Sequence, residues 1–200
     1  MIDVVFPKSN EAEFISMAER LGLSGLCFVY PKPTDVSSFQ KSSKLRLLSG
    51  VLCSPNDVRK YKQHLTFVAA PDDPQDIRGI LESCRPSVLF GLEFGRRKDF
   101  MHHRASGLNH ILAVIARDKD VAIGFDFASL LSAKPRERAL FMGRMMQNVD
   151  FARKFRFKVV AATFAKSPWH LRSEHDLNSF FVSLGMTAPE AKKAFDWVEP

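Results

Sequence analysis

Seven short apolar runs recur along the 200-residue chain, and they limit its folds more than any other feature. They are "IDVVF" at 2–6, "GLCFVY" at 25–30, "LRLLSGVLC" at 45–53, "LTFVAA" at 65–70, "SVLFGLEF" at 87–94, "VAIGFDF" at 121–127 and "KVVAATFA" at 158–165. Most are continuously apolar rather than alternating, as strands covered on both faces should be. Helical patterns lie between several of them. Leu108, Ile111, Leu112 and Ile115 mark one helix face, in a helix expected over 107–118 with Ser106 as its cap. Met142, Met145, Met146, Val149 and Ala152 mark a second, in a long helix opened by Pro135, and all five are expected in the core. Ser173 with Asp176, and Thr187 with Glu190, read as the starts of two more, the first ended by Gly185.

Strands alternating with helices form a βα repeat, either an open doubly wound sheet or a closed barrel. A dinucleotide-binding sheet carries G-x-G-x-x-G after its first strand, and "VVFPKSN" has none. Short connections and no linker favour one TIM-like barrel domain over 1–200. The chain is shorter than the roughly 250 residues usual for eight strands, and no eighth run precedes the closing "AFDWVEP". The expectation is a distorted barrel of about seven mainly parallel strands with surrounding helices.

Charge is unevenly placed. Residues 1–95 hold 11 basic and 11 acidic residues, 96–172 hold 16 and 6, and 173–200 hold 2 and 5. The central block, net +10 and richer in arginine than lysine, suits a polyanion, since guanidinium forks match phosphate. No run approaches the roughly 18 apolar residues of a membrane span, and "MIDVVFPKSN" lacks a signal-peptide pattern. A cytoplasmic protein without a membrane partner is expected. Cys27, Cys53 and Cys84 never stand as C-x-x-C and are expected to be small buried thiols.

Two chemistries compete for the polar residues. A metal-dependent phosphoesterase would gather ligands at the strand ends, and Asp3, Glu93 and Asp126 lie in the strand runs. His64, His102, His103, His110, His170 and His175 fall elsewhere, with no H-x-H, no H-E-x-x-H and no Asp/His pair two residues apart. No metal site is therefore expected. The alternative is RNA. In "FMHHRASGLNH" at 100–110, His102, His103 and Arg104 precede a helix start whose free N–H groups attract anions. His110 and Arg117 share that helix's polar face, and Lys119 follows. Arg136, Arg144 and Lys154 are expected to point away from the methionine face, and "ARKFRFK" continues the basic run. In "AKSPWHLR", Lys166, Trp169, His170 and Arg172 mix an aromatic ring with cations, the combination that holds unpaired bases and phosphates.

Three segments, "HHRASGLNHILAVIARDKDVAIGFDFASLL", "RERALFMGRMMQNVDFARKFRFK" and "ATFAKSPWHLRSEHDLNSFFVSLGM", resemble the barrel-shaped protein subunit of archaeal and eukaryotic ribonuclease P, called protein component 3 in archaea. The resemblance covers roughly residues 100–186. It implies a barrel related to phosphoesterases of the polymerase-and-histidinol-phosphatase type but lacking their full metal-ligand set. It also implies a non-catalytic subunit supporting an RNA that removes the 5′ leader of precursor tRNA, with magnesium serving that RNA and no cofactor on this chain. The partners implied are the ribonuclease P RNA, a small ferredoxin-like protein subunit, the other protein subunits and precursor tRNA. An archaeal source is implied as well. The family's basic positions fall on Arg104, His110, Lys119, Lys154 and Arg172, with Arg78 and Lys192 outside the strongest match. Acidic neighbours in "RDKD" weigh against Lys119.

Overall fold

The computed structural model describes residues 1–198. The last two residues of the expected 1–200 domain, which end "AFDWVEP", lie outside the described residues. All seven strands form: β1 (Ile2–Val5), β2 (Gly25–Tyr30), β3 (Arg46–Leu52), β4 (Leu65–Ala69), β5 (Val88–Phe90), β6 (Ala122–Asp126) and β7 (Val159–Ala162). They pair in chain order, and every pairing is parallel. Parallel neighbours need a crossover, and helices supply most of them. These are α1 (Glu11–Arg20), α2 (Ser37–Gln40), α3 (Pro74–Gly79), α4 (His110–Asp118), α5 (Phe127–Ser132), α6 (Pro135–Phe155), α7 (Glu174–Ser183) and α8 (Ala188–Phe195).

The sheet nearly closes. Beyond the end of β7, Val5 and Ala165 form a parallel bridge, with Phe6 N donating to Ala165 O at 2.8 Å and Ala165 N to Val4 O at 3.1 Å. Asp3 fastens the same seam. Its Oδ1 accepts from Thr163 N at 2.6 Å and Val4 N at 2.9 Å, and its Oδ2 accepts from the Thr163 hydroxyl at 2.7 Å. The residue is fully buried, and burial raises its pKa to about 6 against the pull of those donors.

Strand alternation divides the core into two layers. Val4, Cys27, Val29, Phe67, Val88 and Val160 fill the barrel, while Val5, Leu26, Phe28, Val68, Leu89 and Phe125 face the helices. At the rim where the strands end, Phe6, Phe90 and Phe164 cluster, with Phe90 stacked on Phe164 at 4.8 Å between centroids and Phe6 tilted against both. Phe164 takes φ 52°, a left-handed conformation unusual for a bulky side chain. At the opposite rim Trp197 packs edge-on against Phe67, and its indole N–H donates to Ile2 O at 3.1 Å. Apolar side chains thus fill the barrel and aromatic rings cover both ends.

Several local expectations need correcting. The fifth run yields only a three-residue strand, because Gly91 at φ 80° turns the chain into a tight 3-10 turn over Leu92–Phe94. The helix expected from residue 107 starts at His110 with Asn109 as its cap, its side chain accepting from Leu112 N. Ser106 is fully buried, and Gly107 at φ 87° forces the turn between them. Ile111, read as part of the apolar face of this helix, is 48% exposed, and Ala113 and Ala116 pack inward with Leu112 instead. On α6 the buried stripe is Arg144, Met145, Asn148 and Val149, while Met146 faces solvent. Cys27 is buried, but Cys53 and Cys84 are only partly so. The Thr187–Glu190 capping box forms in full. At Ser173 only half does: the hydroxyl caps Asp176 N, and the Asp176 carboxylate accepts from that hydroxyl rather than from the backbone.

Candidate nucleic-acid interface

A buried arginine organises the rim around "FMHHRASGLNH". The sequence pattern puts Arg144 on the surface of α6; it is fully buried. Its guanidinium donates to Glu93 O at 3.0 Å, Gly95 O at 2.7 Å, Arg97 O and Asp99 Oδ1 at 2.9 Å. A planar fork with five donors can satisfy four acceptors on one loop, which a lysine cannot. The next turn of α6 continues the clamp. Gln147 accepts from Arg104 N and donates to Arg104 O and to the Ser106 hydroxyl, each at 2.8 Å, and Asn148 donates to Ser106 O at 3.1 Å. Asp99 completes it by accepting from Ala105 N. Burial opposes ionisation of Asp99, but Ala105 N–H, Arg144 and Arg104 outweigh it and hold its pKa below the ordinary value.

The clamped loop presents its tip to solvent. Phe100 stacks on His103 with centroids 4.5 Å apart, and Phe100, Met101, His102, His103 and Arg104 are all exposed. Arg104 does not sit on a helix N-terminus as expected. It lies against Gly143 of α6, so close that a Cβ there would fall 2.5 Å from its Cζ, and it meets Asp99 at 3.3 Å.

The second rim loop follows β7. Trp169 is 76% exposed on the 3-10 turn Pro168–His170. Arg172 donates to Trp169 O and Leu171 O at 2.9 and 2.7 Å and lies over the Phe127 ring, which fixes its direction. Beside it a cavity of about 360 Å³ is lined by Ser129, Ser132, Glu137, Phe141, Lys166 and His170, among others. Tryptophan, lysine, histidine and arginine therefore share one rim loop, in line with the sequence pattern.

The seven basic positions do not form one patch. Arg104, His110 and Arg172 stand at the rim where strands end. Lys119, at the C-cap of α4, and Lys154, in the last turn of α6, stand at the other, where those helices hand over to β6 and β7. Lys192 lies on α8, which leads to Trp197 at that same end. Arg78 sits in the last turn of α3 and is paired with Glu82 at 2.9 Å. Arg117, expected on the polar face, pairs with Asp118.

The carboxylates at the strand ends do not fit a catalytic metal. Both Asp3 oxygens are engaged at the seam. Asp126 caps α5 through Ser129 N and the Ser129 hydroxyl, and burial raises its pKa. Glu93, set by the 3-10 turn rather than a strand, is fully buried with no partner in good hydrogen-bonding geometry; burial raises its pKa to about 8, with Asp126 adding to the rise and the Glu93 and Asp126 amides only partly opposing it. Among the described residues no three His, Cys, Asp or Glu side chains lie together as a metal would require. Three phenyl rings occupy the mouth where a barrel enzyme holds its substrate.

Glu93 yields a pH prediction. An acid whose folded pKa is raised binds more protons folded than unfolded, so its contribution is full below the unfolded value near 4.5 and is lost as pH rises toward about 8. Glu93→Gln should match the parent in urea unfolding near pH 4 and exceed it increasingly up to pH 8. A stability difference independent of pH would show that Glu93 is ionised in the fold.

The family model described as "RNase P subunit p30" matches residues 91–198. This chain belongs to that family. Ribonuclease P protein component 3 of Thermococcus gammatolerans is 37% identical over 101 residues, which is 50% of this chain and 44% of that protein. That match therefore spans less than half of the relative's length. Protein component 3 of Methanosarcina mazei is 31% identical over 202 residues, 93% of this chain and 79% of the relative. Among solved structures, a chain in the cryo-EM structure of archaeal ribonuclease P with mature tRNA matches with a TM-score of 0.80 at 25% identity, over 98% of this chain and 87% of that one. The family match begins at Gly91, where the clamped loop begins, and takes in both rim loops, α6 and α8.

Proposed function

We propose that the chain is a non-catalytic, RNA-binding protein subunit of ribonuclease P, supporting removal of the 5′ leader from precursor tRNA by the catalytic RNA. The observation that carries this reading is the contrast between mouth and surface. Phenyl rings fill the position of a barrel active site, while a clamped aromatic and basic loop stands outside it. Likeness to a chain from an archaeal ribonuclease P structure supports it. On this reading the partners are the ribonuclease P RNA, a small ferredoxin-like subunit, the other protein subunits and, through the holoenzyme, precursor tRNA. Magnesium serves the RNA. The cytoplasm of an archaeal cell is the compartment the reading implies. Kinship with polymerase-and-histidinol-phosphatase barrels would explain buried acids near strand ends that no longer converge.

Binding of the ribonuclease P RNA, followed against salt, tests this. Removing one cation that neutralises a phosphate should lower the slope of log affinity against log salt by about one. Arg104→Ala should show that drop, and Arg59→Ala, an exposed arginine of the balanced first half, should not. Gly143→Ala should imitate Arg104→Ala by pushing the guanidinium aside, while its helix gains about 0.5–1 kcal/mol from the exchange. Equal and small effects of all three would remove the loop from the RNA interface.

A further inference from the structure

A groove of about 510 Å³ opens at the opposite rim, between the end of α6, the start of β7 and α8. Its floor is apolar: Phe157 and Met186 are buried there, and the Trp197 indole is fixed by its hydrogen bond to Ile2 O. Its edge is cationic, with Arg153, Arg156, Lys158 and Lys193 against Glu190 and Asp196. The acids are largely answered: Glu190 is held by Arg153 at 2.8 Å, and Asp196 lies 3.8 Å from the Met1 amino group. Lys158 meets Asp120 at 2.9 Å. The side chains of Arg156 and Lys193 are exposed and make no ion pair among the described residues.

The backbone at Arg156 adds a second observation. This residue ends α6 in the left-handed conformation, φ 62° and ψ 36°, where glycine is the usual occupant because a side chain costs energy there. An arginine in that place strains the backbone where glycine would not, and its charge at the negative end of the helix offsets part of that cost. What it adds is a guanidinium at the edge of the groove.

Building on the RNA-binding reading, we propose that this groove holds one unpaired nucleotide of an RNA strand. The base lies on the Phe157, Met186 and Trp197 floor, and the flanking phosphates meet Arg156 and Lys193. An apolar floor with an unpaired cationic edge suits a flat base joined to anionic phosphates, and a duplex, whose bases are stacked away, cannot enter. The site lies across the barrel from the clamped loop, so an RNA would be held at both ends.

The test uses the full chain carrying Trp169→Phe, which leaves Trp197 as the sole indole of the two in the sequence. A short oligoadenylate should quench Trp197 fluorescence, and a duplex of equal length should not. Arg156→Gly keeps the left-handed helix end, so melting should be unchanged or higher, yet oligoadenylate affinity should fall about tenfold with Lys193→Ala added. The salt slope should drop by about 1.4 when two phosphates of a single strand are no longer neutralised. The proposal is wrong if these variants bind and quench like the parent while Lys166→Ala and Arg172→Ala weaken binding; RNA binding would then stand without the groove. It is equally wrong if the groove variants weaken only association with another protein subunit, or if duplex quenches as well as single strand. No RNA affinity at low salt in the unsubstituted chain, with Trp169 in place, would overturn both this proposal and the reading beneath it.

Discussion

Arg144→Met should lower the stability of this protein by roughly 3–5 kcal/mol, the range seen when one partner of a buried charged network is removed. In a domain of this size that corresponds to a melting temperature about 10 °C lower. Methionine fills similar volume, so little of the cost would come from a cavity. It arises because Glu93 O, Gly95 O, Arg97 O and the Asp99 carboxylate are deprived of their donor together. Arg144→Lys should recover only part of it, since an ammonium cannot reach four acceptors in one plane. Adding Asp99→Asn to Arg144→Met should cost less than the sum of the two changes, because each removes the same ion pair. A cost below about 1 kcal/mol in urea unfolding would mean that the loop finds other partners.

Asp3→Ala should be similarly severe, because it leaves Thr163 N–H, the Thr163 hydroxyl and Val4 N–H buried without an acceptor. Each such group costs about 1–3 kcal/mol, and together they hold the seam between the first and last strands. Hydrogen exchange at Phe6 and Ala165 should accelerate with it, since those amides bridge the seam. Asp3 also carries a pH signature. Its folded pKa of about 6 lies above the ordinary 3.8, so its contribution is full below pH 4 and declines as pH rises to about 6. Asp3→Asn cannot ionise, so its stability deficit relative to the parent should shrink across that interval. A deficit that instead grows with pH would mean that the seam prefers the carboxylate more strongly than burial opposes it.

The strands are legible in the sequence because a strand buried on both faces needs an unbroken apolar run, and seven such runs are present. The α6 face is obscured for the opposite reason. Its inward stripe contains Arg144 and Asn148, whose polarity hides them from an apolar pattern, and that pattern selects Met146 in their place. A polar side chain buried to hold a distant loop leaves no periodic trace. What the sequence does offer is "RMMQN", polar residues three and four apart beside methionines on a long helix, a spacing that puts Arg144, Gln147 and Asn148 along one side.

The clamped loop is obscured in a related way. Ser106 has the residue type of a helix cap, but Gly107 and Asn109 follow it, and Asn109 serves instead because the left-handed turn at Gly107 delays the helix. Arg104 therefore rests on Gly143 rather than on the expected helix end. The rim loop "AKSPWHLR" is easier to read, since proline, tryptophan and flanking cations define an exposed turn without long-range partners. Charge locates the basic block but cannot show that it divides between two ends of a barrel, which depends on which way each helix runs.

Cleavage of precursor tRNA in a reconstitution with ribonuclease P RNA, magnesium and the companion protein subunits tests the central claim most directly. This chain alone should release no 5′ leader and hydrolyse no simple phosphate ester with any divalent metal. Added to the RNA and its companions, it should raise the rate of leader removal, and Arg104→Ala with Arg172→Ala should diminish that increase while the protein remains folded. Hydrolysis of phosphate esters by the chain alone, abolished by Asp126→Ala, would contradict the account, as would a reconstitution whose rate is the same with and without it.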